Sequence, residues 1–461
     1  MPTQTEVLTK LFSFFEAQKI SYAVLGNCHQ LPEQIPSDID FAINPPDLSR
    51  VFRELRKFCH IHHIRLTQII QHEQTAWYVV LSWQDNIGQL RFLQPDICGD
   101  YFQFGRQVLS AQTLLENRQK YLDPSGFKKM FYVPPPAISF IYYLLKKITK
   151  GRLTADQCTF LSEEWQKDPD GAYAQCLQYW PCHLVEVIAH SAVQNEWNTF
   201  SHRLPVFRET LHQYGFQFNH VMKEFKRKLT RIISPTGLHI ALLGPDGSRK
   251  STLASAITET LTPAFRGSQI WHLWPYQSHS GSNASPNVMP HSQAPRSGFS
   301  SLVKLVYWWV IFTVGYFHKV WPSKISSRLI VFDRYFDDLL IDPIRYRYGG
   351  PLRLAQWVGR FIPKPDLLFI LDAPVNTLHS RKKEVLASEA TRQRTAYRNL
   401  CHDQNHCFLI DTSLPLEAAL SQIQDIILEF LEIRISRQYQ SPQTDQTSRQ
   451  QSLKDFLTFQ P

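Results

Sequence analysis

The 461-residue sequence lacks the cysteine patterns of metal sites and disulfide frameworks. Its eight cysteines are scattered, with no CxxC pair and no metal-ligand spacing, which argues against a cysteine-ligated zinc domain and against a disulfide scaffold. The first residues also lack the basic-then-apolar order of a secretion signal. Together these absences predict a protein of the reducing cytoplasm.

A long uninterrupted apolar run is lacking as well. The most apolar segment, Leu302 to Phe317, has 16 residues and contains Lys304, whereas a spanning helix needs about 20 apolar residues. The sequence therefore predicts no transmembrane span. We interpret the segment as a helix buried in the C-terminal module, with a helix lying on a membrane surface as the alternative.

Acidic residues are fewer than basic ones. The chain has 49 Lys+Arg against 40 Asp+Glu, a formal net charge of +9, which suits a phosphate-rich ligand, nucleic acid or an anionic membrane but does not choose among them. No base-reading motif appears, so a nucleic-acid partner is not expected. The composition is otherwise that of a globular protein, and the length predicts two or three domains.

The segment Leu238 to Leu261 contains a strand, a turn and the start of a helix. The apolar run Leu238 to Leu243 is typical of a buried parallel strand, and the apolar residues after position 252 recur at helical spacing. Such a helix start can hold an anion through its free backbone N–H groups. The order therefore predicts a phosphate-binding loop.

The loop follows the pattern G-x-x-x-x-G-K-[ST] with one departure. Gly244, Lys250 and Ser251 match, but Arg249 stands at the second glycine, where it could add positive charge or block the site. In this pattern the backbone cradles phosphates, the lysine reaches the outer phosphates and the hydroxyl holds magnesium. The predicted binding residues are Gly244, Asp246, Gly247, Ser248, Arg249, Lys250, Ser251 and Thr252. A tight turn without a ligand is the alternative.

Two later strands are predicted to end in charged residues. The run Arg328 to Tyr335 brings Asp333 and Arg334 to a carboxyl end, where open α/β sheets bind ligands. Asp333 could orient magnesium or an acceptor, and Arg334 could bind a phosphate with its planar guanidinium. The next strand, Pro365 to Asp372, precedes basic residues that suit a lid or, alternatively, a solvated helix. These basic residues include Arg392 and Arg394.

Four elements in this order, GPDGxxKST, DRY, PDLxxxLD and the arginine-rich segment, resemble thymidylate kinase and its relatives over about Leu238 to Leu431. The resemblance implies a P-loop, three-layer α/β/α kinase domain with a parallel sheet, and phosphoryl transfer with ATP and Mg²⁺ as cofactors. The family's arginine after the second strand has no counterpart, because Trp274 and Pro275 stand there. The acceptor, a nucleotide or another phosphate- or hydroxyl-bearing molecule, therefore stays open.

The resemblance also implies roles for individual residues. Those at the donor phosphates and magnesium are Lys250 and Ser251, those on the acceptor side are Asp333 and Arg334, and those of the lid are Arg392 or Arg394.

The N-terminal half contains a pair of carboxylates. Asp38 and Asp40 are two residues apart, so on a strand both face one side and repel unless a cation, usually a divalent metal, lies between them. The order of helix, strand, Gly26-Asn27 turn and Asp-x-Asp resembles the nucleotidyltransferase superfold. That resemblance implies Asp38 and Asp40 as metal ligands, with Asp96 as the third. An exposed charge pair without a metal is the alternative.

The patterns divide the chain into four parts: a nucleotidyltransferase-like α+β domain at 1–133, a helical extension and linker at 134–234, a thymidylate kinase-like domain at 235–433 and a disordered tail at 434–461. The segment from Pro275 to Ser300 is predicted to be a mobile surface loop. Two alternatives to a kinase stay open: a degenerate nucleotide-binding or scaffold protein, and metal-dependent nucleotidyl transfer by the N-terminal domain. The sequence is also compatible with a homodimer.

Overall fold

The computed structural model describes residues 2–35, 38–103, 105–122, 128–211, 218–275, 294–382, 386–402 and 406–439. The predictions for a mobile loop at 276–293 and for a disordered tail at 440–461 lie outside these residues. The chain divides into two compact units, Met1–Leu229 and Thr230–Pro461. Each unit has its own sheet.

The first unit begins with an α+β domain. Its elements are α1 (Gln4–Ala17), β1 (Tyr22–Leu25), β2 (Ile39–Ile43), α2 (Leu48–Ile61), β3 (Arg65–Glu73), β4 (Ala76–Gln84), β5 (Leu90–Leu93), β6 (Pro95–Cys98), β7 (Tyr101–Gln103), β8 (Arg106–Leu109), α3 (Ala111–Leu115), β9 (Gln119–Leu122) and β10 (Lys128–Val133). The main sheet has the order β1-β2-β6-β4-β3, with β5 paired to β4. Strands β2 and β6 are parallel and place Asp40 opposite Asp96.

A single later strand was expected to run from Leu90 to Asp96. The structure corrects this, because the segment forms two strands separated at Gln94. Pro95 explains the break, since proline cannot donate a hydrogen bond to a sheet and is tolerated at the first residue of a strand.

The rest of the first unit is helical, as predicted. Its helices are α4 (Pro136–Lys150), α5 (Ala155–Lys167), α6 (Pro169–Leu177), α7 (Cys182–Gln194), α8 (Asn198–His202), α9 (Leu204–Thr210) and α10 (Phe218–Ile233), which continues into the second unit. Helices α4 to α9 share a core that includes Phe140, Trp165, Trp180 and Phe207.

The second unit is a parallel α/β domain. Its elements are β11 (Leu238–Leu243), α11 (Lys250–Leu261), β12 (Ser268–His272), α12 (Gly298–Gly315), α13 (Trp321–Ile325), β13 (Leu329–Asp333), α14 (Asp337–Ile341), α15 (Leu352–Gly359), β14 (Leu367–Asp372), α16 (Val375–Arg381), α17 (Ala387–His402), β15 (Cys407–Asp411) and α18 (Leu416–Tyr439). The strand order is β12-β13-β11-β14-β15, and all pairs are parallel. Every residue of β11, β13 and β14 is buried, so both faces of the central strands are covered.

Helix α12 corrects the prediction of a buried helix. Leu305, Trp308 and Phe312 pack in the core, whereas Val303 and Val306 on the other side are 56% and 59% exposed. Because this helix is apolar on all sides, its composition does not indicate which side is covered. By length and composition alone, the segment Gly298–Ile325 could cross a membrane, although such a helix is weak evidence for a span.

The start of the predicted tail is also corrected. Residues 434–439 belong to α18, and Arg434 donates hydrogen bonds to the carbonyl oxygens of Gly237 and Thr236 at 3.0 and 2.6 Å. Ile435 is buried as well. These contacts hold the end of α18 against the residues that precede β11.

Candidate active site

The predicted phosphate loop connects β11 to α11. Gly244 and Gly247 have φ angles of 151° and 85°, a region in which glycine is favoured because it has no Cβ. A Cβ on Gly244 would lie 2.3 Å from the Leu371 carbonyl oxygen, and one on Gly247 would lie 2.7 Å from the Leu378 carbonyl oxygen. These two glycines therefore allow the loop to pass close to the chain that follows β14.

Arg249 takes the backbone conformation of the glycine that it replaces. Its φ and ψ angles are 65° and 25°, in the left-handed region, which is uncommon for residues other than glycine. The guanidinium donates to the carbonyl oxygen of Leu414 at 3.2 Å. The loop therefore keeps its turn at this position, and the side chain is directed toward the residues after β15.

Lys250 places its ammonium group on the loop. The side chain is buried, and Nζ donates to the carbonyl oxygens of Gly244 and Pro245 at 2.7 and 2.8 Å. Burial, assisted by the nearby charge of Arg334, lowers the pKa of Lys250 to about 8. A cation held this way is positioned for an anion bound by the loop.

Ser251 and Asp333 form the second part of the site. The Ser251 hydroxyl donates to Asp333 Oδ2 at 2.5 Å, and His272 Nδ1 lies 3.5 Å from the same oxygen. Although burial opposes this, the neighbouring His272, Lys250 and Ser251 hold the pKa of Asp333 well below its ordinary value. A hydroxyl and an ionised carboxylate are oxygen donors, which Mg²⁺ prefers.

Arg334 follows β13 and is held by two carboxylates. Its guanidinium donates to Asp338 Oδ2 and to Asp246 Oδ1, both at 2.7 Å. Burial would lower the pKa of Arg334, but the charges of Asp338 and Asp246 keep that pKa well above its ordinary value. The loop residue Asp246 also accepts a hydrogen bond from Arg345. The phosphate loop and Arg334 are thus joined through Asp246.

Asp338 is a member of the site that the sequence analysis did not identify. It is fully buried and accepts hydrogen bonds from Arg334, from the Tyr346 hydroxyl at 2.7 Å and from the Tyr397 hydroxyl. Although burial opposes this, the charges of Arg334 and Lys250 lower the pKa of Asp338. The available signal was a pair of aspartates, Asp337 and Asp338, directly before an apolar run.

The two predicted lid arginines lie on α17. Arg394 donates to Asp372 Oδ1 and Oδ2 at 2.7 and 3.0 Å, and Arg392 donates to the Ile341 carbonyl oxygen at 2.7 Å and to Glu389. Their role on a transferring phosphoryl group stays a prediction. Arg381, which was not singled out, donates to the carbonyl oxygens of Gly247 and Thr412 at 3.4 and 2.9 Å.

The first unit gathers the three predicted carboxylates. One oxygen from each of Asp38, Asp40 and Asp96 can be chosen so that all three lie within 4.8 Å of one another. The Lys146 ammonium contacts Asp40, and the charge of Asp40 raises the pKa of Lys146 although burial opposes it. The carboxylate on β6 joins the pair because β2 and β6 are parallel and in register at these residues.

Comparison with known proteins gives a consistent result for part of the chain. No family model matches the sequence. It is 28% identical over 200 residues to Probable thymidylate kinase 1 of Saccharolobus solfataricus, which covers 41% of this chain and 95% of that protein. It is 25% identical over 217 residues to the thymidylate kinase of Xanthomonas oryzae pv. oryzae, with coverages of 45% and 90%.

Two solved structures were also found. Thymidylate kinase from Ehrlichia chaffeensis has a TM-score of 0.30, 15% identity, and coverage of 42% of this chain and 100% of its own. Thymidylate kinase from Candida albicans has a TM-score of 0.32, 16% identity, and coverages of 43% and 94%. These relatives give no support to the nucleotidyltransferase resemblance, which stays a prediction. The chain is homologous to thymidylate kinases over 41% to 45% of its length.

Proposed function

We propose that the second unit transfers the terminal phosphoryl group of ATP to a nucleotide. The observation that carries this proposal is the buried Lys250 ammonium on the carbonyl oxygens of Gly244 and Pro245. The Ser251–Asp333 pair and Arg334 follow at the carboxyl ends of neighbouring strands. Phosphoryl transfer depends mainly on positioning and on stabilising charge, which is what these groups can supply.

On the donor side, Lys250 and the backbone N–H groups at the start of α11 would bind the outer phosphates of ATP. Ser251 and Asp333 would hold Mg²⁺, because both offer oxygen ligands and Asp333 is kept ionised by its neighbours. When bound, the ion supplies positive charge against the phosphate oxygens. Asp333 would in addition orient Ser251 through their hydrogen bond.

On the acceptor side, Arg334 would bind the acceptor phosphate. Asp338 and Asp246 hold its guanidinium from two sides, so little side-chain freedom is lost when a phosphate binds. Arg392 and Arg394 remain candidates for closing over the transferring group. The relatives are named thymidylate kinases, so thymidine monophosphate is the first acceptor to test.

The test is an assay of acceptor-dependent ADP formation. We expect the full chain, with ATP and Mg²⁺, to release ADP faster when a nucleoside monophosphate is added, and mass spectrometry to find the corresponding diphosphate. Asp40→Asn serves as the control, because it changes the first unit and should leave this activity unchanged. ATP binding without ADP formation for any acceptor would instead favour the degenerate binding or scaffold protein.

A second candidate function belongs to the first unit: metal-dependent nucleotidyl transfer. The observation that favours it is the cluster of Asp38, Asp40 and Asp96 with Lys146 against Asp40. Three carboxylate oxygens form a ligand set that suits Mg²⁺ or Mn²⁺. The contact with Lys146 is consistent with a need for positive charge between these groups. The nucleotide and its acceptor are not specified by the cluster.

This candidate predicts that Asp38→Asn combined with Asp40→Asn weakens Mn²⁺ binding at least about tenfold, since two of three anionic ligands are lost. Calorimetric titration with Mn²⁺ measures the binding. Pyrophosphate release from a mixture of ribonucleoside triphosphates measures the activity, with Lys250→Met as the matched variant of the other unit. Pyrophosphate release that persists in the double variant would disprove the assignment.

A further inference from the structure

Helix α10 has one apolar side and one basic side. At about 100° of rotation per residue, five apolar residues fall within an arc of about 100°. They are Phe218, Val221, Met222, Phe225 and Leu229, and we call them the apolar stripe. Ile232 and Ile233 continue the same side. The rest of the helix surface is polar and mostly basic.

The apolar stripe is exposed. Phe218 and Phe225 are 67% and 62% exposed, and Met222 and Leu229 are 49% and 46% exposed. None of the side chains of α10 is buried. A helix on a soluble protein normally turns its apolar stripe to the core, so this arrangement is the reverse of the usual one. A contiguous exposed apolar patch of this kind marks a binding surface.

The polar side of α10 faces the protein. The ring of His220 stacks on Phe102 with centroids 3.8 Å apart and planes 11° from parallel. Arg227 Nη1 donates to the carbonyl oxygen of Gln71 at 2.9 Å. Both contacts lie within the first unit. Turning the stripe inward would break them, so they fix the orientation of the helix.

The charges of α10 indicate what would cover the stripe. The helix has five basic residues, and its single acidic residue, Glu224, is paired with Arg227. Lys226 and Lys228 are exposed and border the stripe on either side. Two copies packed through this stripe would bring lysines against lysines, which is unfavourable. An anionic surface would instead attract lysines on both borders while it accepts the apolar residues.

We propose that α10 docks the protein on a membrane surface that carries anionic lipids. The apolar stripe enters the boundary between headgroups and acyl chains, and the bordering lysines contact lipid headgroups. A large amphipathic contrast with low overall hydrophobicity is the property of helices that lie in this plane. With 16 residues and six charged side chains, α10 is too short and too polar to span a bilayer. This inference does not depend on the proposed function.

Sedimentation with vesicles tests the proposal on the full chain. We expect the protein to sediment with vesicles of phosphatidylcholine and phosphatidylglycerol, and at least about tenfold less with phosphatidylcholine alone. Raising the salt concentration should release part of the bound protein, because surface charge is screened. Absence of binding to the anionic vesicles at low salt would overturn the proposal.

Two sets of variants locate the binding surface. Phe218→Ser, Phe225→Ser and Leu229→Ser together should lower vesicle binding at least about tenfold, with thermal unfolding measured to confirm that the protein stays folded. The matched control, Val303→Ser, Val306→Ser and Val310→Ser, makes the same type of change on exposed positions of α12 and should leave binding unchanged. Loss of binding only in the α12 variant would overturn the assignment to α10. Light scattering that shows a dimer in the wild type and a monomer in the α10 variant would assign the stripe to a second copy instead.

Discussion

Replacement of Lys250 by methionine is expected to lower kcat for phosphoryl transfer by about 10²- to 10³-fold, the effect of removing one preorganised charge-stabilising group. Methionine keeps the approximate length and the apolar character of the side chain. It removes the ammonium that donates to the Gly244 and Pro245 carbonyl oxygens. Steady-state rates of ADP formation in the purified full chain measure the effect.

Arg249→Gly is the matched control in the same loop. Glycine adopts the left-handed conformation of this position without strain, and the change leaves Lys250 and its partners in place. We therefore expect the Arg249 variant to keep at least about half of the wild-type kcat, well above the loss expected for Lys250. A Lys250→Met variant with wild-type kcat would rule out the proposed role of Lys250, and an inactive Arg249→Gly variant would show that Arg249 itself is needed.

The strand-loop-helix unit could be predicted because its signals are local. The apolar run Leu238–Leu243 and the spacing of the residues after Lys250 are properties of neighbouring positions. The structure has both elements with almost the same bounds. The same applies to Asp333, which ends a fully buried strand. The parallel sheet of the second unit is confirmed in consequence.

The network around Asp338 could not be predicted because its members are distant in the chain. The hydrogen bonds to Asp338 come from residues 4, 8 and 59 positions away. No sequence period connects such positions, so their proximity is set by the packing of α14 and α17. A buried carboxylate and an exposed one also have the same sequence pattern.

Helices α10 and α12 show a second limit of sequence patterns. A helical period indicates that apolar residues share a side, but it does not indicate which side faces the protein. The basic cluster of α10 suggested a solvent-exposed helix, and the structure shows in addition that Arg227 and His220 are turned inward. For α12, apolar residues on all sides predicted burial, whereas one side is exposed.

Asp338→Asn is expected to lower the free energy of unfolding by about 3 to 5 kcal/mol, the cost of breaking a buried ion pair by changing one partner. Asp338 accepts from Arg334 and Tyr346 on one oxygen and from Tyr397 on the other. Asparagine has one acceptor oxygen, so its amide group would face a donor. It would also leave the buried charge of Arg334 with fewer carboxylate partners. Urea unfolding of the full chain measures the change.

Asp337→Asn is the control, because the neighbouring aspartate is also buried but pairs with Lys364, whose side chain is 42% exposed. Water already solvates that lysine, so we expect a loss of only about 1 kcal/mol. Kinetics separate a positioning role of Asp338 from a purely structural one. If Asp338 orients Arg334 toward the acceptor, Asp338→Asn should raise the KM for the acceptor and leave the KM for ATP unchanged. Equal losses of stability in both variants, with both KM values unchanged, would mean that Asp338 does not position Arg334.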